Sequence, residues 1–190
     1  LYVLPAVVFI VAFVVYPIAY NILISMQKYD ISTFQNGVRE FIGLTNYKAI
    51  FSDQLFIKSV SNTFVFTIVC IIFQLGLGFL LALFFHKKFP GANVTSGLTL
   101  IAWVMPMLVI GIIWKWLWAS DSGAINYFLS ALHLIKEPIP WLSDPKYAMI
   151  AVTATNIWVG IPFNMLLVIT GMTTISDDVY EAATIDGASK

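Results

Sequence analysis

Four long stretches of this chain contain no Asp, Glu, Lys or Arg, and they constrain its fold more than any other feature. A helix of about 20 predominantly apolar residues is long enough to cross a bilayer. Lipid offers no hydrogen-bond partners to peptide groups, so each stretch is predicted to be helical. The uncharged stretches are Leu1–Gln27, Ser59–Phe85, Phe89–Trp114 and Tyr147–Ser176. The predicted spans are residues 2–27, 59–85, 94–118 and 147–171.

The composition indicates a membrane protein. Hydrophobic residues make up 59% of the chain and charged residues only 11%, whereas a soluble domain carries about 25% charged residues. The predicted fold class is therefore all-α, a polytopic transmembrane helical bundle. The net charge of zero gives no reason to expect a nucleic-acid partner. Because Cys70 is the single cysteine, the sequence contains no pair for an internal disulfide.

The connections between the predicted spans alternate in length. Residues 28–58 and 120–146 form long polar loops, and residues 86–92 form a short turn with three basic side chains. Short basic connections are enriched on the cytoplasmic side, so the turn at 86–92 is predicted to be cytoplasmic. The sequence Trp114-Lys115-Trp116-Leu117-Trp118 is predicted to form a belt at the membrane interface.

Polar residues within the second and fourth spans recur at helical spacing. Residues three and four apart lie on one helix face, and polar groups at bilayer depth usually face protein or water. A translocation path is one interpretation, and hydrogen-bonded helix packing is the alternative. Gly78 and Ala82 add a small-residue pair that permits close helix approach. Pro17, Pro106 and Pro162 are predicted to interrupt their helices. The candidate path residues are Thr63, Thr67, Gln74, Thr153, Asn156 and Asn164.

The sequence contains no recognisable constellation for catalysis or metal binding. His133 stands alone, and metal sites require several convergent ligands. Asp53, Asp121 and Asp144 are far apart and follow no acid–base spacing. Gly76 and Gly78 lie inside a predicted span with no following Lys, so they do not form a phosphate loop. No catalytic residue, metal or cofactor is predicted.

Residues 177–190 are more polar than the spans before them, and their pattern predicts a short capped helix. Asp178 is predicted to be its N-cap, with Glu181 completing a capping box, and the helix is expected over residues 179–186. Gly187 fits the left-handed position that follows a helix end. Ala182 and Ala183 give the helix a face without bulk, which suits docking in a groove of another protein. A solvated connector is the alternative.

This terminal segment, "EAATIDGAS", resembles the first part of the EAA motif of ABC importer permeases. The similarity extends to the carbohydrate-importer branch, which includes the maltose and glycerol-phosphate permeases. Other segments that match this branch, in the same order, are "VVYPIAY", "FIGLTNYKAIFSD", "GAIN" and "IWVGIPF". The motif residues that match are Glu181, Ala182, Ala183, Asp186, Gly187 and Ala188.

The resemblance implies a permease subunit of an ATP-driven, binding-protein-dependent sugar importer in the bacterial inner membrane. Residues 172–190 would be a cytoplasmic coupling segment that docks on an ABC ATPase subunit, with Glu181, Ala182, Ala183, Asp186 and Gly187 as the coupling residues. ATP would be hydrolysed by that separate subunit, so this chain itself is not expected to be an enzyme. The further partners implied are a second permease subunit and an extracytoplasmic solute-binding protein.

The family motif continues beyond the residues present here, so the chain is expected to be part of one permease domain with about six spans. Two other functions stay open at this point. One is an ABC permease for a non-sugar solute, such as an amino acid or polyamine. The other is a non-transporting membrane scaffold whose polar stripes only hold helices together. No matched motif identifies the sugar.

Overall fold

The computed structural model describes residues 2–31, 33, 37, 39–87 and 89–188, including all of their side chains except those of Asn93 and Asp177. Lys88 of the predicted basic turn, and Ser189 and Lys190 of the predicted coupling segment, lie outside the described residues. The chain divides into two compact units, and the division falls between Thr63 and Phe64 in the sequence. Helix α4 (Gln54–His86) runs across this division.

The first unit is a long helix followed by a small polar connection. Its strands pair antiparallel, with Gln27 opposite Phe41. The elements that its described residues form before α4 are α1 (Leu4–Ile10), a π-helical segment (Val11–Val15), α2 (Tyr16–Ser25), β1 (Gln27–Lys28), β2 (Glu40–Phe41) and α3 (Thr45–Ser52).

Pro17 was predicted to interrupt the first span, but it does not. The helix is continuous from Leu4 to Ser25, and the chain widens to a π-helix over Val11–Val15, just before the proline. A wider turn accommodates the ring and the missing N–H without ending the helix. Pro162 likewise lies inside a continuous helix. Interruption was therefore the wrong prediction for both prolines.

Polar side chains of the "FIGLTNYKAIFSD" segment fasten α3 to the end of α2. The Asn46 side-chain amide donates to the carbonyl oxygens of Ser25 (2.9 Å) and Gln27 (3.1 Å). The hydroxyls of Ser25 and Tyr47 are 2.6 Å apart. Gly43 has a φ of +56°, a left-handed conformation that glycine adopts at little cost. These residues build the turn that leads into α4.

The second unit contains the remainder of α4 and six further helices among its described residues. Helices occupy the four predicted span regions of the whole chain, and the all-α prediction is confirmed. In the part of the chain that the structure describes, three helices are long and apolar enough to cross a membrane, Leu4–Ser25, Gln54–His86 and Pro145–Thr173. The further helices are α5 (Ala92–Thr99), α6 (Ile101–Val104), α7 (Met107–Leu117), α8 (Ala124–Ala131), α9 (Pro145–Met172) and α10 (Asp177–Ile185).

Pro106 breaks the third span, as predicted. The helical segments Val94–Val104 and Met107–Leu117 meet at an angle of 93°. Met105, immediately before the proline, is extended with ψ 141°, because the proline ring disfavours helical backbone in the preceding residue. The two segments together make either one broken span or a re-entrant loop.

A tryptophan cluster packs the connection between α7 and α9 against the start of α9. Trp118, Trp141 and Ala151 are buried, and Ile125 and Leu129 of α8 pack against them. Trp118 is therefore a core residue rather than part of an interface belt. The "GAIN" segment lies beside this cluster. A Cβ atom at Gly123 would come within 2.6 Å of the Leu117 carbonyl oxygen, so only glycine fits this approach.

Asn126 holds the same connection in place with a complete set of hydrogen bonds. Its amide donates to the carbonyl oxygens of Ser120 (3.0 Å) and Ile139 (2.9 Å). Its oxygen accepts from the Trp141 indole (2.8 Å) and from the Ile139 N–H (3.2 Å). Asn126 is 5% exposed, and a buried amide is stable when its hydrogen-bonding groups are satisfied in this way.

Candidate translocation site and coupling helix

Two of the predicted path residues, Gln74 on α4 and Asn156 on α9, bind each other. The Gln74 side-chain nitrogen donates to the Asn156 side-chain oxygen at 2.8 Å and to its main-chain carbonyl oxygen at 3.0 Å. Four residues further along α9, a Cβ atom at Gly160 would overlap the Gln74 amide. The glycine therefore makes the space in which this amide lies.

The same two helices approach closely one turn further along. A Cβ atom at Gly78 would lie 2.8 Å from the Asn164 Cβ and 2.9 Å from the Met165 nitrogen. Such distances are too short for an unstrained contact, so α4 and α9 can pack this tightly only because residue 78 is glycine. The Asn164 amide donates to the Gly160 carbonyl oxygen of its own helix at 2.9 Å. Ala82 is fully buried.

A cleft of about 290 Å³ lies beside these contacts, and we call it the polar cleft. Met105 and Met107, which flank Pro106, bring the break in the third span to its wall. The rings of Trp103 and Phe163 stack with their centroids 5.2 Å apart and their planes at 20°. The described lining residues are Gln74, Trp103, Met105, Met107, Ile110, Asn156, Val159, Gly160, Phe163 and Asn164.

A second cavity of about 320 Å³ adjoins the polar cleft. The two share Met107, Ile110, Asn156 and Val159 as lining residues. Its other walls include Trp114, Lys115 and Trp118 of the α7 region, together with Thr155 of α9. The Trp118 indole donates to the Thr155 hydroxyl at 2.9 Å, so the tryptophan cluster is bonded to the residue next to Asn156.

The polar cleft suits an uncharged, hydroxylated solute. Its described lining includes three carboxamide side chains and two stacked aromatic rings but no ionisable side chain. Amides donate and accept hydrogen bonds, and binding sites of this kind combine apolar walls with a few placed polar groups. The arrangement offers binding and orientation of such a solute.

The other three predicted path residues lie elsewhere. Thr63 and Thr67 are exposed on α4, and the Thr63 hydroxyl donates to the Ser59 carbonyl oxygen of its own helix at 2.8 Å. Thr153 is half-buried and lines a separate apolar groove with Val65 and Val69. The structure thus joins Gln74, Asn156 and Asn164 at one cleft but does not bring the three threonines to it.

The predicted coupling helix is present as α10, Asp177–Ile185, but its start differs from the prediction. Ser176, with an extended ψ of 149°, is the N-cap, and its side chain makes no capping hydrogen bond. Asp178 is therefore the second residue of the helix rather than its cap, and the predicted capping box with Glu181 was wrong. The Asp178 carboxylate still lies in the first turn, where negative charge favours a helix.

The end of α10 follows the prediction. Gly187 has a φ of +83°. Its N–H donates to the Thr184 carbonyl oxygen at 3.2 Å, and the Ala188 N–H donates to the Ala183 carbonyl oxygen at 2.9 Å. This pair of bonds is the Schellman motif, which requires a left-handed residue after the helix end. Gly187 thus turns the chain away from the helix axis.

Helix α10 exposes much of its surface, including apolar side chains. Val179 is 56% exposed and Ile185 is 85% exposed, whereas Ala183 is half-buried. Of the other predicted coupling residues, Glu181, Ala182, Asp186 and Gly187 are all exposed. The Tyr180 ring lies against the His86 ring at the end of α4, with centroids 6.1 Å apart.

Several residues at the cleft were missed because their signal is weak in a linear sequence. Trp103 and Phe163 are ordinary apolar residues of their spans, and the spacing along either span does not show that their rings stack. Thr155, which lines the second cavity, lies one position outside the predicted stripe. The "IWVGIPF" segment carried a usable signal, since its Gly160 and Phe163 both line the cleft.

Comparison with known proteins supports the same fold. The trehalose/maltose transport system permease protein of Thermococcus litoralis is 31% identical over 189 residues, which are 100% of this chain and 62% of that protein. The sulfoquinovosyl glycerol transport system permease protein of Agrobacterium fabrum is 32% identical, over 98% of this chain and 59% of that protein. The chain thus spans about three fifths of these relatives.

A solved structure gives the fold independently. It is a bacterial alginate ABC transporter in complex with an alginate pentasaccharide-bound periplasmic protein, with a TM-score of 0.75 and 19% identity. The match covers 98% of this chain and 60% of that chain. Residues 74–190 match the family described as binding-protein-dependent transport system inner membrane component. These residues include α9, the polar cleft and the EAA segment, and the chain belongs to this family of inner-membrane transport components.

Proposed function

We propose that the complete protein is a permease subunit of an ATP-driven, binding-protein-dependent sugar importer. The observation that carries this proposal is α10, an exposed helix that ends in a Schellman turn at Gly187 and matches the EAA motif residue by residue. An exposed helix with small residues on one face fits a groove in a partner protein. Membership of the family supports the same role.

The partners follow from this role. Helix α10 docks on a cytosolic ABC ATPase subunit, which hydrolyses ATP, so this chain supplies no catalytic group. A second permease subunit completes the path. A solute-binding protein delivers the substrate, in keeping with the periplasmic protein bound to the structural neighbour. The loops at 28–58 and 120–146 face this binding protein, and the turn at 86–92 and residues 172–190 face the cytoplasm.

The polar cleft is the part of the translocation path that this chain contributes. Carboxamides of Gln74, Asn156 and Asn164 stand beside the stacked rings of Trp103 and Phe163. A sugar offers hydroxyl groups to amides and apolar faces to aromatic rings. Relatives that are named for sugar transport favour the same substrate class over an amino acid or a polyamine.

Coupling works through the chain connection between α10 and α9 and through the contacts between α9 and α4. Residues Thr173–Ser176 join α9 directly to α10. The Gln74–Asn156 bonds and the close approach at Gly78 attach α4 to α9. When the ATPase closes on ATP, a docked α10 moves α9 and α4 together relative to the bent segment at Pro106. Only a difference in docking energy between the two ATPase states can drive this movement.

Reconstitution tests this function. The full-length permease, its partner permease, the ATPase and the binding protein are placed in proteoliposomes, and solute uptake is measured beside ATP hydrolysis for sugars, amino acids and polyamines. ATP-dependent uptake of a sugar supports the proposal. Uptake confined to another solute class refutes the sugar assignment, and hydrolysis without uptake of any solute favours a scaffold.

The variant Asn164→Leu tests whether Asn164 belongs to the translocation path or only packs one helix against another. It is expected to lower uptake or change solute preference while the subunits still co-purify. Thr67→Val is the matched control, because Thr67 is exposed on α4 and does not line the cleft. Loss of assembly in Asn164→Leu, with unchanged selectivity of the residual uptake, would assign Asn164 to helix packing alone.

A further inference from the structure

The coupling helix α10 follows α9 in the chain and also touches α4. His86 is the last residue of α4, and Tyr180 is the fourth residue of α10. Their ring centroids are 6.1 Å apart, with an interplanar angle of 32°. This separation is within the range of about 4.5–7 Å over which aromatic pairs attract each other.

We propose that Tyr180 and His86 are positioning residues that seat the coupling helix on the end of α4 and make this contact a second point of transmission. The inference rests on the proposed docking of α10 to an ATPase subunit. It assigns to this ring pair a role separate from that of the motif residues Glu181 and Ala182, which are exposed and can meet a partner.

The chain connection alone constrains α10 weakly. The linker Thr173–Ser176 is a turn, in which the Ile175 N–H donates to the Met172 carbonyl oxygen at 3.2 Å. Ser176 is extended, and its side chain makes no capping bond to α10. A helix held at one end by such a linker can pivot under load, so part of a push from the ATPase would be lost. A second contact, at Tyr180, opposes the pivot.

The contact between Tyr180 and His86 also transmits force from the ATPase to α4 as well as to α9. Helices α4 and α9 are bonded to each other through Gln74 and Asn156, and they pack closely at Gly78. A coupling helix that rests on the end of α4 while it continues from α9 loads both members of this pair. The pair then moves as one body, and the polar cleft between it and α7 changes its access.

The test is a double-mutant cycle on the full-length permease heterodimer in nanodiscs, with the purified ATPase subunit as the probe. The dissociation constant of the ATPase is measured with and without a non-hydrolysable ATP analogue. Access to the cleft is followed as the methanethiosulfonate reaction rate of Met107→Cys, in a Cys70→Ala background. Met107 is 75% exposed and lines the cleft.

Tyr180→Ala and His86→Ala are each expected to weaken ATPase docking about two- to tenfold, the range that an aromatic contact supports. Each should also reduce the nucleotide-dependent change in the Met107→Cys reaction rate. The double variant should be no worse than the worse single variant, because both substitutions remove the same contact. Tyr180→Phe and His86→Phe keep the rings and should behave like wild type. Lys87→Ala, next to His86, is the matched control.

Additive effects in the double variant would overturn the proposal, as would a deleterious Tyr180→Ala paired with a neutral His86→Ala. The second result would mean that Tyr180 contacts the ATPase directly. The variant Gly187→Val distinguishes failure of the ring contact from failure of the proposed coupling function. If it abolishes docking while the ring variants are additive, the coupling function stands and the ring contact fails. If Gly187→Val also leaves docking unchanged, the proposed function itself fails.

Discussion

The Gln74 side-chain nitrogen lies 2.8 Å from the Asn156 side-chain oxygen and 3.0 Å from the Asn156 carbonyl oxygen, although the residues are 82 positions apart. The polar stripe predicted to face a translocation path therefore also joins two helices. The two roles are compatible here, because Asn156 lines both cavities while it accepts these bonds. A donor with two acceptors fixes the rotation of α4 against α9.

Gln74→Met tests the structural part of this role. Methionine keeps the length of the side chain but removes both hydrogen bonds to Asn156. Interhelical hydrogen bonds in membranes contribute about 0.6 kcal/mol on average and at most about 1.7 kcal/mol, so a loss of roughly 1 kcal/mol in unfolding free energy is expected. The measurement is a denaturant titration in mixed micelles. Thr67→Val, on the exposed part of α4, should change stability by less than half as much.

Valine substitutions at Gly78 and Gly76 form a matched pair that tests the close approach of α4 and α9. Valine at position 78 would collide with Asn164 and the Met165 backbone, whereas a Cβ at position 76 meets nothing within 4 Å. Gly78→Val is therefore expected to destabilise the second unit by about 1–3 kcal/mol through overpacking, and Gly76→Val to leave its melting temperature near wild type. Equal melting temperatures for the two variants would show that the helices do not approach at Gly78.

Features that depend on local spacing were predicted from the sequence. The absence of charge over more than 20 residues predicted helices in four regions, because lipid leaves helix as the available conformation, and the structure has helices in all four. The four-residue spacing of Gly78 and Ala82 identified the close-packed face. Gly187 was predicted as a left-handed residue, because the pattern of a helix end followed by glycine has a specific backbone requirement.

Features that depend on tertiary contacts were not predicted. The same residue type, proline, breaks the chain at Pro106 and is tolerated at Pro17 and Pro162, and the outcome depends on whether the surrounding helix can widen or bend. Trp118 was assigned to an interface belt, but Trp141, 23 positions away, buries it. The N-cap was placed at Asp178 rather than Ser176, since both types are good caps and the boundary depends on the extended linker.

Asn126 is expected to be the most sensitive polar residue of the connection between α7 and α9. Asn126→Leu leaves two carbonyl oxygens, the Ile139 N–H and the Trp141 indole N–H without their partner. Each unsatisfied buried group costs about 1–3 kcal/mol, so a loss of more than about 3 kcal/mol is expected. Limited proteolysis between residues 120 and 146 should accelerate accordingly. Tyr127→Leu, at the 80% exposed neighbouring side chain, should leave the cleavage rate unchanged.

The orientation of the chain is open to direct labelling. In the full-length protein with Cys70→Ala, a cysteine at Tyr127 should react with an impermeant maleimide on intact cells, and one at Lys87 should react only after permeabilisation. The basic turn at 86–92 favours this orientation, and both residues are exposed. The reverse pattern would place α10 on the wrong side for an ATPase and would remove its coupling role.

Gly187 is the position at which backbone conformation alone should control coupling. Its φ of +83° is left-handed, yet a Cβ atom there would meet nothing within 4 Å. Substitution is thus strained by the backbone rather than by crowding within this chain. A residue with a Cβ costs about 1–2 kcal/mol in this conformation, and asparagine tolerates it better than other residues.

Gly187→Val is expected to open the Schellman turn and weaken ATPase co-purification or uncouple hydrolysis from uptake. Gly187→Asn is expected to keep most of the ATPase binding and most of the coupled uptake. Gly97→Val, at a helical glycine with equally open surroundings, controls for added bulk. If Gly187→Val retains wild-type docking and uptake, the turn is dispensable, and α10 is a connector rather than the element that receives the movement of the ATPase.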